Sequence, residues 1–498
     1  MTQFTSLLPI IIVGSGAIFL MLLSAFSKLT IKELARITQT IILAALAIIL
    51  MTLFDDSFSY SVYPEIFHNM LTNDSFALLF NFIFLLGALL SIYIGNVYIE
   101  KNKFFTGETF ALILFSLFGM MLLSMATEMI TAFISLEIAS LSIYVLVGLN
   151  RKSHKSSEAV FKYLLLGSFG GSFFLMGAAF IYAQTGTTQL GEIANFISAN
   201  IEQDMTLIII GGTLVMITLV FKISAVPFQA WTIDVYDGAS LPVTAYMAST
   251  FKIAIFAIAL RLFLVDFNLI QDIWDQLLVF LTVITLMVGS LLAIIQNNIK
   301  RMLAASSMVH SGYLLIALAS TGISGTSAAP SIIFYLIAYF FSAIGAFGLL
   351  SYVSWDTRRR ATYEDFKGFA HIHPRLALMM TIFMLSFAGF PSTIGFLGKF
   401  YIFTGAIEAG YTFLAIIGVL SAFISIYYYF RLIIVMYFYP SKHEALVLTS
   451  KITPTVLALI ALIILWGGIG TGLISFLPGA NGFIEFAQNS IASLFITH

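Results

Sequence analysis

The chain has 498 residues, 60% of them hydrophobic and only 9% charged, with a mean hydropathy of +1.01 and a formal net charge of −1. A water-soluble domain carries roughly a quarter charged residues, so this composition calls for lipid as solvent and fits neither a soluble fold nor a nucleic-acid binder. Cysteine is absent, which excludes disulfides, thiolate-ligated iron–sulfur clusters and a cysteine nucleophile.

The N-terminal stretch MTQFTSLLPIIIVGS lacks a basic head, so the first apolar run is expected to be a retained helix rather than a cleaved signal. Apolar windows of transmembrane length then follow near 7–27, 37–54, 75–98, 109–126, 128–149, 159–184 and 206–226. They continue near 242–265, 276–297, 302–320, 331–354, 376–407, 411–439 and 454–477. Lipid offers unpaired backbone no partner, so each window is read as a helix, giving an all-α polytopic chain of about fourteen spans. The windows at 109–149 are the least separated, with only Ala126-Thr127-Glu128 between them.

The connections test that count, because Lys and Arg concentrate on the cytoplasmic side. Numbered alternately, one set of connections holds Lys28, Lys32, Arg36, Lys101, Lys103, Arg151, Lys152, Lys155, Lys300, Arg301, Arg358, Arg359, Arg360, Lys367, Arg375, Lys442 and Lys451. The other set holds Asp55, Asp56, Glu65, Glu192, Glu202, Asp204, Asp272, Asp275 and Glu408, with no Lys or Arg. The alternation predicts a multi-pass protein of a bacterial inner membrane with both termini on the periplasmic side.

Seventeen of the 23 Lys and Arg are thereby placed, leaving Lys162, Lys222, Lys252, Arg261, Lys399 and Arg431 inside spans, with Glu137 and His310. A cation at mid-bilayer costs about 2.5–3.5 kcal/mol on insertion scales, so buried ones face the bundle interior and mark ion paths. The competing reading is snorkelling from a helix end. It is the expectation for Arg261, near the outer end of its helix, and stays open for Lys162 and Arg431. Lys222, Lys252 and Lys399 sit in apolar flanks with no basic cluster to mark an interface. His310, in SSMVHSGYLL, is either a satisfied core histidine or a proton-passing imidazole. His371 and His373, two apart in a basic connection, are read as solvated.

Desolvation favours a neutral amine, whereas a nearby carboxylate favours the ammonium. Moving Glu137 toward or away from a lysine would then switch that lysine between holding and releasing a proton. A relay Lys222, Lys252, His310, Lys399 would carry the proton through the membrane plane, with Lys162 beside it.

Two spans read as broken. FKISAVPFQAW sets Pro227 shortly after Lys222, and SFAGFPSTIGFLGKF crowds Gly389, Pro391, Gly395 and Gly398 ahead of Lys399. Interrupted segments at corresponding places in two halves point to an ion path. They lie five spans apart, so helices 4–8 and 9–13 are expected to be two inverted five-helix repeats. The domain expectation is 1–105 for the N-terminal helices, 106–268 and 269–440 for the repeats, and 441–498 for a last helix and tail.

The strings SLEIASLSIYVLVGLNR, SSEAVFKYLLLGS, FKISAVPFQAWTIDVYDGAS, KRMLAASSMVHSGYLL and LSFAGFPSTIGFLGKFYIF resemble the antiporter-like membrane subunits of respiratory complex I, nearest to the subunit N branch of bacterial NADH–quinone oxidoreductase. The resemblance runs from about residue 75 to 440. It implies that Glu137, Lys222, Lys252 and Lys399 match the family's glutamate and lysines of helices five, seven, eight and twelve. Lys162 matches a helix-six lysine of subunit N, and His310 the family's helix-ten histidine. Ser240 departs from the usual proline. The chain stops about twenty residues after its last window, where a subunit L would run on into a lateral helix.

The implied activity is proton translocation coupled to quinone reduction elsewhere in a hetero-oligomer of membrane-arm subunits. Flavin, iron–sulfur clusters and quinone would belong to partner subunits, with no cofactor or metal in this chain. A multi-subunit cation/proton antiporter and a membrane-bound hydrogenase share the pattern. A non-conducting structural subunit is the third alternative, and the intramembrane charges argue against it.

Overall fold

The computed structural model describes residues 2–53, 67–200, 202, 204–321, 328–353, 361–440, 450–469 and 479–496. Asp55, Asp56, Glu65, Arg358, Arg359, Arg360, Lys442 and the Asp272 side chain lie outside the described residues. Everything described is helix or connection, with isolated bridges such as Leu71 to Ala126 in place of strands.

Helices α1 (Thr2–Phe26) and α2 (Ile31–Leu53) pack together and against α4 (Glu108–Met125) and α3 (Ser75–Lys101). The thinly separated pair resolves cleanly into α4 and α5 (Met129–Val147). Ala126 is extended, and Glu128 caps α5 by accepting from the backbone N–H groups of Ile130 and Thr131. Helix α6 (His154–Thr185) starts at Ser153, whose hydroxyl accepts from Ser156 N–H, and ends at left-handed Gly186. Helix α7 (Leu190–Ala199) is short and amphipathic, burying Leu190, Ile193 and Ile197 at helical spacing.

Next come α8 (Thr206–Lys222), α9 (Thr232–Gly238) and a compound span, Leu241–Val265. That span runs through α10 (Leu241–Tyr246), a π turn at Met247–Phe251, α11 (Lys252–Leu260) and a second π turn at Arg261–Asp266. Helices α12 (Gln271–Ile294), α13 (Ile299–Ala319) and α14 (Ala329–Val353) follow. α13 and α14 are buried along almost their whole length and form the axis of the bundle. The short α15 (Phe369–Ile372) meets α16 (Pro374–Ala388) at a 120° bend. Then come α17 (Ile394–Glu408), α18 (Thr412–Phe438), α19 (Ile452–Ile469) and α20 (Ala480–Ile496).

Among the described residues, 12 helices are long and apolar enough to cross a membrane, or up to 13 if the bent pair counts as one span. The two windows that fall short are 206–226 and 376–407, the two that the sequence marks as broken. The first yields the 17-residue α8, and the second splits into two 15-residue helices, α16 and α17. The sequence also reads the C-terminus as a tail, whereas residues 480–496 form α20. This helix packs on α3 and α14, and its Ser493 hydroxyl accepts from Phe76 N–H.

Connections assigned to one side by the charge alternation touch one another. At the acidic end, Gln184 bonds to the Asp204 carbonyl and Gln189 to the His68 carbonyl. At the basic end, Lys155 pairs with Asp237 at 2.6 Å, and Arg301 spans Asp234 and Asp237. A cleft of ≈ 360 Å³ opens there, lined by Lys155, Asp237, Gln296, Asn298 and Arg301.

Candidate functional site

The first break places Lys222 as the last residue of α8, with Ser224 in the left-handed region at φ 65° and Pro227 beyond it. Proline has no N–H to continue the ladder, and a left-handed residue turns the chain off the helix axis. The ammonium is thereby aimed sideways at α5. Lys222 is 2% exposed; its Nζ donates to Ser140 Oγ at 3.0 Å and Tyr144 Oη at 2.8 Å. Glu137 Oε1 lies 3.7 Å away, close enough for charge attraction but without a direct hydrogen bond. Glu137, Ser140 and Tyr144 fall at i, i+3 and i+7, one face of α5, so a carboxylate, a hydroxyl and a phenol converge on one ammonium.

The second break is built from the same parts differently. Gly389 (φ 78°) ends α16, Ser392 (φ 71°) turns the chain, and the Thr393 hydroxyl caps α17 by accepting from Phe396 N–H. Lys399 reaches back across the gap, donating to the carbonyls of Phe387 at 2.8 Å and Ala388 at 3.1 Å. Its Nζ also stands 5.0 Å from the centre of the Tyr313 ring. The end of α16 carries partial negative charge, which holds the ammonium without a carboxylate.

Helix α13 joins the two. Lys252 Nζ donates to the Ser307 carbonyl at 2.7 Å. Ser311 donates to the carbonyl of Ile223, the residue after Lys222, at 2.8 Å. One turn from Ser307, His310 sets Nδ1 2.5 Å from the Tyr335 hydroxyl and Nε2 2.9 Å from the Tyr429 hydroxyl. A neutral imidazole has one N–H and one lone pair, so one phenol accepts from the ring while the other donates to it. His310 is thus fully partnered and also wired on both sides.

The structure therefore brings Glu137 and Lys222 into one site. It gathers Lys252, His310 and Lys399 along α13, and leaves Lys162 apart. Lys162 lies on the outer face of α6, its side chain 36% exposed, paired with Asp234 at 2.7 Å and Glu158 at 2.6 Å. Burial raises the Asp234 carboxyl, but hydrogen bonds and charge from Lys162 and Arg301 outweigh it and leave the group below its ordinary value. Arg431 bonds to the Gln296 carbonyl and Asn297 Oδ1 and covers the Tyr363 ring, a half-exposed anchor at the basic end.

Arg261 requires a correction. The sequence reading has it snorkelling to an interface, yet it is 0% exposed and pairs with fully buried Asp74 at 3.0 Å. The helix does not end there: the chain continues into a covered π turn, so the guanidinium points into the bundle. His371 is exposed, as the sequence expects, while His373 is half-buried against the Phe369 ring.

Sequence reasoning misses Ser140, Tyr144, Tyr335 and Tyr429. For Ser140 and Tyr144 a signal existed in their helical spacing from Glu137; the other two come from distant helices and left none. Among the described residues, no cluster of His, Asp and Glu could hold a metal ion. What the arrangement offers is a file of groups that can each take up or give up a proton, with bonds that can be remade by small displacements.

Residues 126–425 match the family described as NADH:quinone oxidoreductase/Mrp antiporter, TM. A subunit N of NADH-quinone oxidoreductase from Trichlorobacter lovleyi is 46% identical over 76% of this chain and 77% of its own length. A subunit N from Solibacter usitatus is 37% identical over 90% of each. A chain of respiratory complex I from Thermus thermophilus superposes with a TM-score of 0.79 at 29% identity, covering 93% of this chain and 98% of that one.

Proposed function

The chain belongs to the NADH:quinone oxidoreductase/Mrp antiporter membrane family, and from that premise we propose that it serves as the subunit N of an NADH–quinone oxidoreductase. It is a membrane-arm subunit that moves protons while quinone is reduced in other subunits. The observation that carries this reading is Lys222, buried at the end of a broken helix and 3.7 Å from Glu137. Breaking a buried pair by removing one partner costs about 3–5 kcal/mol, so separating the two changes how firmly the lysine keeps its proton.

The relay runs through Glu137, Lys222, Lys252, His310 and Lys399. When Glu137 is close, Lys222 holds a proton; when it withdraws, the proton passes by way of Tyr144 and hydrating water toward α13. Lys252 and Lys399 flank His310, whose two phenol partners relay the proton by exchanging donor and acceptor roles. Lys162 takes part from the basic end, as a feeder beside the relay rather than a member of it.

The fourteen-span count adds α8 and the α16–α17 pair, broken at Pro227 and at Gly389 and Pro391, to the 12 long helices. Both termini then lie on the periplasmic side of a bacterial inner membrane. Residues 106–268 and 269–440 form inverted repeats between the helices of 1–105 and the C-terminal 441–498. The matching Ser turns and broken helices support that division. Flavin, iron–sulfur clusters and quinone belong to partner subunits.

The test is the purified native complex in proteoliposomes. Lys222→Ala or Lys399→Ala should leave it assembled but lower acidification per electron transferred, and full acidification by both variants would sink the relay. Co-purification without flavin- and cluster-bearing subunits would favour the cation/proton antiporter instead.

A further inference from the structure

The ion pair between Arg261 and Asp74 has no part in the relay, yet it is the most deeply buried pair among the described residues, with both side chains at 0% exposure. Asp74 is the N-cap of α3, its Oδ1 accepting from Ala77 N–H at 2.7 Å and from Arg261 Nη2 at 3.2 Å. The same Nη2 donates to the Ser124 carbonyl at the end of α4 at 2.9 Å, and the guanidinium faces the Phe76 ring. Arg261 Nε and Nη1 have no protein acceptor, and neither Thr72 Oγ1 nor Asn73 Nδ2 has a partner. Buried donors are normally satisfied, so this cluster has the polarity of a site that carries water.

Helix α11 connects it to the relay. Lys252 is the first of its 9 residues, and Arg261 follows its last. A π turn lies at each end, Met247–Phe251 before Lys252 and Arg261–Asp266 after Leu260. Such turns loosen the helical ladder and recur at functional sites. The straight segment between them can therefore shift as a unit, carrying Lys252 at one end and Arg261 about 13 Å away at the other. Polar groups mark the seam alongside: Thr250 against Gly87, then Ser124 bonded to Asn81 at 3.0 Å, then Arg261 with Asp74. Asp74 and Asn81 are seven residues apart and so share a face of α3.

We propose that the Arg261–Asp74 pair is the latch on a proton outlet from Lys252 toward the acidic end of the bundle, worked by displacement of α11. With the latch closed, the Arg261 guanidinium is the counter-charge of the Asp74 carboxylate, which disfavours protonation of that carboxylate. When α11 moves, Asp74 is released. The proton leaves the Lys252 ammonium, giving the neutral amine, and passes through water to the Asp74 carboxylate. Asp74 then yields it to solvent at the acidic end and pairs with Arg261 again.

A purely structural staple would behave differently, since a buried ion pair is commonly replaced by apolar residues of similar size without loss of stability. The latch rests on the proposed proton relay, and Lys252→Ala separates the two ideas. The complex reconstituted in proteoliposomes is assayed for protons moved per electron and for passive proton conductance. Asp74→Asn should assemble and lower the proton ratio without added leak, and Arg261→Gln should raise passive conductance several-fold. The apolar pair D74L/R261M should assemble with the low ratio of Asp74→Asn. Restoration of the normal ratio by D74L/R261M, or a normal ratio and conductance in both single variants, overturns the latch. If Lys252→Ala also pumps normally, the relay itself fails; if Lys252→Ala is defective, only the latch does.

Discussion

The two broken helices solve one problem in two ways. Each carries a buried lysine, and each turns the chain with a serine in the left-handed region, Ser224 in one and Ser392 in the other. Each ammonium stands near a tyrosine ring, Tyr144 at 5.4 Å for Lys222 and Tyr313 at 5.0 Å for Lys399. The counter-charge is what differs. Lys222 faces a full carboxylate on a separate helix, whereas Lys399 is held by two carbonyls at the end of α16. A carboxylate on another helix can approach and withdraw, so in the proposed relay the first site acts as a switch set by helix movement. Carbonyls of the broken helix itself cannot withdraw without remaking the break, so in that proposal the second site is a steadier store.

The sharpest way to break this contrast is to take away the carboxylate. Glu137→Gln leaves Lys222 with only a hydroxyl and a phenol, and removing one partner of a buried pair costs about 3–5 kcal/mol. We expect coupled quinone reduction to fall by about tenfold or more, the equivalent of about 1.4 kcal/mol or more on the barrier. Lys399→Ala orphans no carboxylate, so it should lower protons moved per electron while assembly and thermal stability change little. Equal losses of assembled complex in the two variants, read by native gel, would erase the distinction.

Two glycines sharpen it with intermediate effects. Gly389 holds φ 78°, and an added Cβ would meet Lys399 Cδ at 2.9 Å, so Gly389→Ala strains the backbone by about 1–2 kcal/mol and displaces the lysine. In the other half Gly167 of α6 packs on the Tyr144 hydroxyl, where a Cβ would collide. Gly167→Ala should push Tyr144 off Lys222 while leaving α6 intact, because alanine is the better helix former. We expect both to reduce proton transfer less than Glu137→Gln, with Gly389→Ala also lowering the melting temperature. If Gly167→Ala pumps normally, Tyr144 is no part of the Lys222 site.

What could be read beforehand follows from the same physics. Lipid forces backbone into helices and charges into the interior, so hydropathy and the placement of Lys and Arg were enough to find the long apolar helices and to place Glu137, Lys222, Lys252 and Lys399 within spans. Breaks were legible because proline and glycine act locally. Arg261 was misread because its partner, Asp74, lies 187 residues away and precedes an apolar window, giving no local sign. Tyr335 and Tyr429 escaped for a related reason: they meet His310 from α14 and α18, and aromatic residues are common on every helix here. The C-terminal α20 was read as tail because, at 17 residues, it is too short and too polar to resemble a span.

The smallest expected effect concerns Lys162, and it tests where the first site ends. Lys162 and Asp234 are each about one-third exposed, and a pair in that setting is worth about 0–1 kcal/mol. Asp234 also holds Arg301, so Asp234→Asn weakens two pairs at once while leaving Lys162 with Glu158 and Arg301 with Asp237. If Lys162 only feeds the relay from the basic end, Asp234→Asn and Lys162→Ala should each slow coupled turnover by less than about fivefold, the equivalent of roughly 1 kcal/mol. Raising the ionic strength should shrink the difference from the unmodified complex, because exposed pairs are screened far more than the largely buried Glu137–Lys222 pair. A loss as large as that of Glu137→Gln, insensitive to salt, would place Lys162 inside the switch rather than beside it.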